Sequence, residues 1–402
     1  MFGIKTAIKN AAPRAVLRLS YWPARWMNAL KTLPQSSRDI LVTLGDKRPN
    51  GDIPRHLYSI FNFLAEAGYN IYVYQKLNFQ FYDWLKKYGR HLFSVKRLKF
   101  ITRVPDRTEN MIYMFDHKDL DETLLGRKWK KLVYLSVLKP TSWQVGKDRM
   151  ALPFMMHPLI YCKGQDKQLN VFRGQARKIR AFFAGNADKY YYRDPAVKKY
   201  GQMTRREGIA ALLRSRRKIV WRPDKKEFDH LMRADGYRVE CVISDFSKFK
   251  IRIEHWLETL SKSDFFLCLS GAGYPMCHHL IESLAVGTVP IMSYPEWLEP
   301  PLEHGKNALI YRNADELVQR LDEAMSMSPV RIGEMRQNAA RYYDEHLSPR
   351  DFSTRFGSLK SPHALMQHPW LVGSDPDQNA AARLERLNAR IVEYSRSLIH
   401  AA

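Results

Sequence analysis

Residues 264–312, DFFLCLSGAGYPMCHHLIESLAVGTVPIMSYPEWLEPPLEHGKNALIYR, decide how the chain is read. Phe265 to Leu269 is a short, nearly continuous apolar run, the pattern of a parallel strand buried on both faces, and Ser270-Gly271-Ala272-Gly273 ends it. From Cys277 to Val286 the apolar residues Leu280, Ile281, Leu284 and Ala285 recur at helical spacing; Gly287 supplies the stop, and Val289 to Met292 forms the next strand. A small-residue turn between a strand and a helix N-terminus presents backbone N–H groups at the positive end of a helix dipole, which suits a phosphate. Tight packing in any α/β protein calls for the same turn, so the glycines alone do not assign a ligand.

The longer pattern says more. Strand, small-residue turn, and a helix ending in Ile281-Glu282-Ser283-Leu284-Ala285-Val286-Gly287-Thr288-Val289-Pro290 resemble the donor-binding domain of GT-B glycosyltransferases, with the closest echo in the exostosin-like branch and related bacterial polysaccharide transferases. That resemblance implies a nucleotide-sugar donor held by Ser270, Gly271, Gly273 and Tyr274, with Glu282 accepting hydrogen bonds from the ribose. Retaining members of one subgroup would carry a second glutamate where this chain has Tyr274, so the resemblance implies an inverting enzyme. The strand Phe182-Phe183-Ala184-Gly185 followed by Arg205 and Arg206 at a helix start is similar to the exostosin-like layout, in which a basic residue holds the donor diphosphate. Cations in a first helical turn oppose the dipole and need another reason; a guanidinium fork on phosphate oxygens is one.

At 402 residues, 45% hydrophobic and 12% aromatic, the chain is long enough for two cores and is not disordered. Cys162, Cys241, Cys268 and Cys277 show no CxxC spacing and read as reduced, packing cysteines of a cytosolic protein. With 65 Lys and Arg against 41 Asp and Glu, the net charge of +24 favours an anionic partner: a phosphorylated substrate, an acidic membrane surface or nucleic acid. No zinc-finger spacing or RRM-type aromatic signature accompanies the cations, so nucleic acid ranks behind the others. No apolar run reaches the roughly 20 residues that span a bilayer.

Residues 1–35 interleave Lys5, Lys9, Arg14, Arg18, Arg25 and Lys31 with Phe2, Ile4, Ile8, Val16, Leu17, Trp22, Trp26 and Met27. Such a segment either lies in the headgroup region of an anionic membrane or docks as a helix on the protein's own surface. Asp39 to Leu44 reads as the first strand, Arg55 to Ala67 as a helix stopped by Gly68, and Asn70 to Tyr74 as the second strand, a βαβ opening. Ligands gather at the carboxyl ends of such strands, which puts Asp46, Asp52, Arg55 and His56 near a cleft; Asp116 and His117 follow a later strand, Met111 to Phe115. The connector near Pro153 to Arg177 contains His157, and the domain junction is placed near residue 170. Asp224 to Asp245 reads as a loop, and residues 361–376 as a loop before a final amphipathic helix, Gln378 to Ile399.

These readings predict an α/β chain of GT-B type, two Rossmann-like domains with parallel sheets facing across a cleft. Residues 1–35 form the basic N-terminal segment, 36–170 the acceptor domain, 171–360 the nucleotide-sugar donor domain, and 361–402 a loop and helix crossing back. The expected activity is transfer of a sugar from a nucleotide-sugar to a glycan or lipid-linked glycan in surface polysaccharide or glycoconjugate synthesis, in the cytoplasm or peripherally at the inner face of the membrane. No DxD motif stands at a suitable strand end, so neither metal nor other cofactor is expected. An inverting transferase needs a base for the acceptor hydroxyl, and Asp52 ranks first, with His56, Asp116 and His117 behind it. Asp52 serves equally as the N-cap of the following helix. Two other readings stay open: a transferase of the same fold using a CMP-activated acidic sugar, and a non-catalytic basic protein that binds membrane or glycan.

Overall fold

The structure, a computed structural model, describes residues 19–360 and 363–367, apart from 46–52, 86–88, 117–121, 137–148, 153, 188–194, 216–217, 234–238 and 272–274. Asp46, Asp52, His117, Gly273, Tyr274 and the expected helix at 378–399 therefore lie outside the described residues. The chain forms two compact units, Met1–Leu152 with Phe352–Ala402, and Pro153–Asp351. The division falls at Leu152 and not near residue 170, because the connector's short helices, Pro158–Cys162 and Leu169–Arg173, pack on the helix Ile253–Ser261 of the second unit. The return to the first unit comes at Phe352, ahead of the expected 361.

The first unit contains β1 (Asp39–Thr43), β2 (Asn70–Tyr74), β3 (Leu98–Ile101), β4 (Met111–Phe115), β5 (Lys131–Ser136) and β6 (Arg149–Ala151). The second contains β7 (Ile179–Gly185), β8 (Ile219–Trp221), β9 (Val239–Asp245), β10 (Ser263–Leu267), β11 (Val289–Met292) and β12 (Leu309–Ile310); β13 (His363–Gln367) belongs to the first sheet. The sheets run β3-β2-β1-β4-β5-β13-β6 and β12-β11-β10-β7-β9-β8, and every recorded pairing is parallel. Each unit is thus a Rossmann-like α/β sheet, and the chain is a two-domain α/β protein. In each sheet the strand order reverses beside the first strand: between β1 and β4 in one, between β7 and β10 in the other.

Burial on both faces explains the apolar runs. In the second sheet Ala181, Phe183, Phe265 and Leu267 join one core with Ile209, Leu212, Leu317 and Leu321, while Phe182 and Phe266 meet Trp256. Neighbouring strand residues thus face opposite helical layers, as a pleated strand requires.

Asp224 to Asp245 is not a loop. It holds the helix Lys225–Arg233 and β9, an interior strand whose Cys241, Val242 and Ile243 are buried. β8, with Ile219, Val220 and Trp221 only half-buried, takes the edge. Residues 363–367, read as part of a loop, are likewise a strand, in register with β5 from His363 opposite Leu132 to Gln367 opposite Ser136. Among the described residues no helix is long and apolar enough to cross a membrane. All four cysteines are free; Cys241 and Cys268 are packed in the core as expected, whereas Cys162 is exposed.

Candidate functional site

The second sheet's reversal point sets the site. The helix Arg205–Arg214 starts there behind a capping box in which the Thr204 hydroxyl accepts from the Glu207 N–H and the Glu207 carboxylate accepts from the Thr204 N–H. Glu207 thereby offsets the dipole cost of the arginines beside it. Arg205 and Arg206 then part: Arg206 points to solvent, whereas Arg205 is 5% exposed. The Arg205 guanidinium lies over the Phe183 ring at 5.5 Å, and its Nη1 donates to the Asn186 carbonyl at 3.0 Å, just past the end of β7. A Cβ at Gly185 would crowd the Phe183 ring at 3.2 Å while meeting Nη1 at 3.5 Å, an ordinary contact.

Across the reversal point, β10 leads into Ser270 and Gly271, whose N–H donates to the Pro275 carbonyl at 3.0 Å and closes the turn. Ser270 is 1% exposed, and its Oγ has no hydrogen-bond partner among the described residues. The helix His278–Ala285 begins after Cys277, whose side chain makes no capping hydrogen bond and whose carbonyl accepts from the Leu280 N–H at 3.3 Å. The positive charge of Arg205 is felt there. Burial, then Arg205 and His157, push the His279 imidazole down to about 3. Burial raises the Cys277 thiol, with Arg205 opposing, so Cys277 stays a thiol near neutral pH.

Glu282 is held by donors of the protein itself. It is 1% exposed, and its two oxygens accept from the His157 N–H at 2.9 Å and the Trp256 indole N–H at 2.6 Å. The carboxylate braces the connector and the helix Ile253–Ser261 against the helix His278–Ala285. His157 caps the helix Pro158–Cys162, its Nδ1 accepting from the Leu159 N–H at 3.2 Å, so it too is structural.

Sequence reasoning missed Asp245 and Arg222. Asp245, at the end of β9, accepts from Ala187 N, Ser247 N, Ser247 Oγ and Arg222, the last at 2.7 Å. Burial works to raise its pKa, and these hydrogen bonds outweigh burial and hold it below the usual range. Arg222 adopts φ +53°, a costly conformation for a residue with a Cβ, and stacks on Trp221 at 4.7 Å. Together they hold the Ala187 backbone, just past β7, in place. The preceding run VEC-VISD was the available signal, a short strand ending in Asp at the same sheet edge.

In the first unit, Asp116 follows β4 and accepts from the Gly45 N–H at 2.6 Å, which ties the ends of β4 and β1 together at that sheet's reversal point. His56 is 4% exposed on the helix Ile53–Glu66, whose Leu57, Ile60, Phe61 and Leu64 are also buried. A cavity of about 340 Å³ opens beside Gly45, lined by Leu44, Gln75, Asn78, Phe81 and Trp84. Another, of about 430 Å³, lies at the opposite strand ends, beside Asp39, Ile112 and Lys131, away from Asp116.

No family model and no curated protein sequence matches the chain. Solved structures do. The N-terminal domain of Candida albicans trehalose-6-phosphate phosphatase is similar at TM-score 0.43 and 10% identity, covering 82% of this chain and 98% of that one. Anabaena HepE, in complex with UDP, is similar at TM-score 0.41 and 10% identity, over 80% and 98%. T4 phage β-glucosyltransferase is similar at TM-score 0.36 and 12% identity, over 81% and 100%. Likenesses this distant assign no activity here; the α/β architecture rests on the strand pairings themselves.

Proposed function

We propose that this chain is a GT-B-type glycosyltransferase that moves a sugar from a nucleotide-sugar donor to a glycan or lipid-linked glycan, with inversion and without a metal. The observation that carries this reading is Arg205: a guanidinium held almost fully inside the protein at the reversal point of a parallel sheet, where open α/β folds bind ligands. In the same unit the turn after β10 carries the buried Ser270 hydroxyl, a further donor for a diphosphate, and leads to the positive dipole end of the helix His278–Ala285.

In the proposed reaction the acceptor oxygen bonds to the anomeric carbon and its proton passes to a carboxylate. The bond from that carbon to the diphosphate breaks, and its electron pair leaves on the nucleoside diphosphate. Arg205 and the Ser270 hydroxyl meet the charge that develops there, which lowers the barrier because they are already in place. Asp116 is the described candidate for the base, and the cavity beside Gly45, with amides from Gln75 and Asn78 and the rings of Phe81 and Trp84, offers the mixed surface that sugars bind. An anionic membrane face presenting a lipid-linked acceptor belongs to the same reading.

Thermal shift with UDP, GDP, CMP and ADP tests it. A diphosphate that raises the melting temperature, where its nucleoside does not, supports the donor site. A shift with CMP alone points to a CMP-activated sugar, and no shift with any nucleotide overturns the reading in favour of a binding protein.

A further inference from the structure

Residues 19–30 form a helix with two unlike faces. Tyr21, Ala24, Asn28 and Lys31 turn inward. The Asn28 side chain completes the edge of β3 as another strand would, donating to the Phe100 carbonyl at 3.0 Å and accepting from the Phe100 N–H at 2.8 Å. Lys31 Nζ donates to the carbonyls of Phe93 and Val95, each at 3.0 Å, and the Tyr21 hydroxyl donates to the Leu77 carbonyl at 3.1 Å. The helix is therefore fixed to the first unit by these hydrogen bonds and by the buried Tyr21 ring, and its remaining large apolar residues are not needed for docking.

Those residues face out. Leu19 is 74% exposed, Trp22 62%, Trp26 68%, Met27 51% and Leu30 61%. Their spacing, three to four residues apart along most of the helix, gathers them into one stripe. Other exposed large hydrophobics among the described residues, Val171, Leu213 and Val330, stand apart on other helices. Scattered exposed apolar residues are ordinary, but a continuous stripe with two tryptophans marks an interaction surface.

We infer that the helix 19–30 lies in the headgroup region of an anionic lipid bilayer and holds the first unit against it. Charge selects this occupant. The exposed Arg25 sits 5.6 Å from the Trp22 ring, Lys5, Lys9, Arg14 and Arg18 precede the helix in sequence, and the whole chain carries +24, so an apolar stripe is joined to cations that attract acidic lipid. Tryptophan suits that interface, with an apolar body and an N–H that stays in the wet headgroup layer. Lys31 is turned toward the protein's own carbonyls. The inward face also carries position: Tyr21 packs on Phe79 and Tyr82 of the short helix Phe79–Trp84, and Phe81 and Trp84 of that helix line the cavity beside Gly45. A bilayer-seated helix would hold that cavity close to membrane-borne molecules. The inference does not rest on the transferase reading, since lipid binding requires no nucleotide.

Flotation of the full chain with vesicles of phosphatidylglycerol and phosphatidylethanolamine, compared with vesicles of phosphatidylcholine alone, tests the proposal. Binding is expected to the acidic vesicles, weakened by added salt, and to fall by on the order of tenfold or more in a Trp22→Ser/Trp26→Ser variant, whose lost apolar area supplies the partitioning. Thermal melting of the variant and its mass by light scattering accompany the measurement. Unchanged melting with lost flotation supports the proposal. Failure of the wild-type chain to float, flotation undiminished in the variant, or a wild-type dimer that the variant dissolves would overturn it, the last by assigning the stripe to a second copy of the chain.

Discussion

The Trp256 indole N–H and the Glu282 carboxylate meet at 2.6 Å inside the second unit, and with the His157 N–H at 2.9 Å they make a buried anion whose partners are all protein. Removing the carboxylate leaves both donors buried and unmatched. Glu282→Ala is expected to lower stability by about 2–4 kcal/mol, the range for breaking a buried, charge-assisted pair of hydrogen bonds. Urea denaturation measures it. Native stability combined with lost nucleotide affinity would return Glu282 to the ribose-binding role.

Arg205 and Arg206 stand next to each other in sequence and differ in burial, which separates their variants. Arg206→Ala should leave nucleotide binding unchanged. Arg205→Lys should lose about tenfold or more in affinity for the nucleoside diphosphate relative to the nucleoside, because an ammonium cannot reproduce the planar fork. Calorimetric titration with both ligands gives that ratio, and it is insensitive to modest loss of folded protein. A ratio unchanged from wild type would move the diphosphate elsewhere.

Asp116→Asn keeps an oxygen to accept from the Gly45 N–H and removes the basicity. Turnover is expected to drop by on the order of 10²–10⁴ while donor affinity stays put. Full turnover in the variant would pass the role to Asp52 or His117.

His279 predicts an acid-side weakness. Its imidazole, tilted against Trp256 with ring centroids 4.6 Å apart, titrates near 3 when folded and near about 6.5 when unfolded, so between those values the unfolded chain binds more protons. The His279 contribution to stability is whole above the upper value and is lost progressively as pH falls toward the lower one. Melting temperatures between pH 7 and pH 4 should decline more steeply for wild type than for His279→Gln. Parallel curves would show that His279 is not shielded from protonation. Metal independence has its own check in the same assays: EDTA should leave transferase activity intact, and activity restored by Mg²⁺ or Mn²⁺ after EDTA would contradict it.

Local pattern made much of the fold legible. β2, β4 and β11 have the bounds expected from sequence, and the helix Arg205–Arg214 begins at the arginines as expected, because each is a dense apolar run or a helix with its own capping signals. β9 was hidden by Glu240 inside its run, and the helix Lys225–Arg233 by its charged start, with Phe228 as its one fully buried residue. β13 was hidden for a different reason: prolines flank it, and its partners β5 and β6 lie more than two hundred residues earlier, a distance no local window spans. In the site, sequence placed Arg205 correctly at a helix start beside the FFAG strand, yet could not separate it from Arg206, since both occupy the first turn. For Glu282 the motif was plain, but its donors, Trp256 and the His157 backbone, are set by packing between distant segments.

β13 also orders events in time. The second unit is a single stretch, residues 153–351, and has all its strands once that stretch has left the ribosome. The first unit begins earlier but cannot close, because β13 fills the gap between β5 and β6 and is made after everything else in the described fold. During synthesis, then, the unit begun first is finished last, and β5 waits with an open edge through the making of the entire second unit. An open parallel edge is a template for wrong pairing. For this chain the hazardous interval in the cell is the time taken to translate residues 137–367.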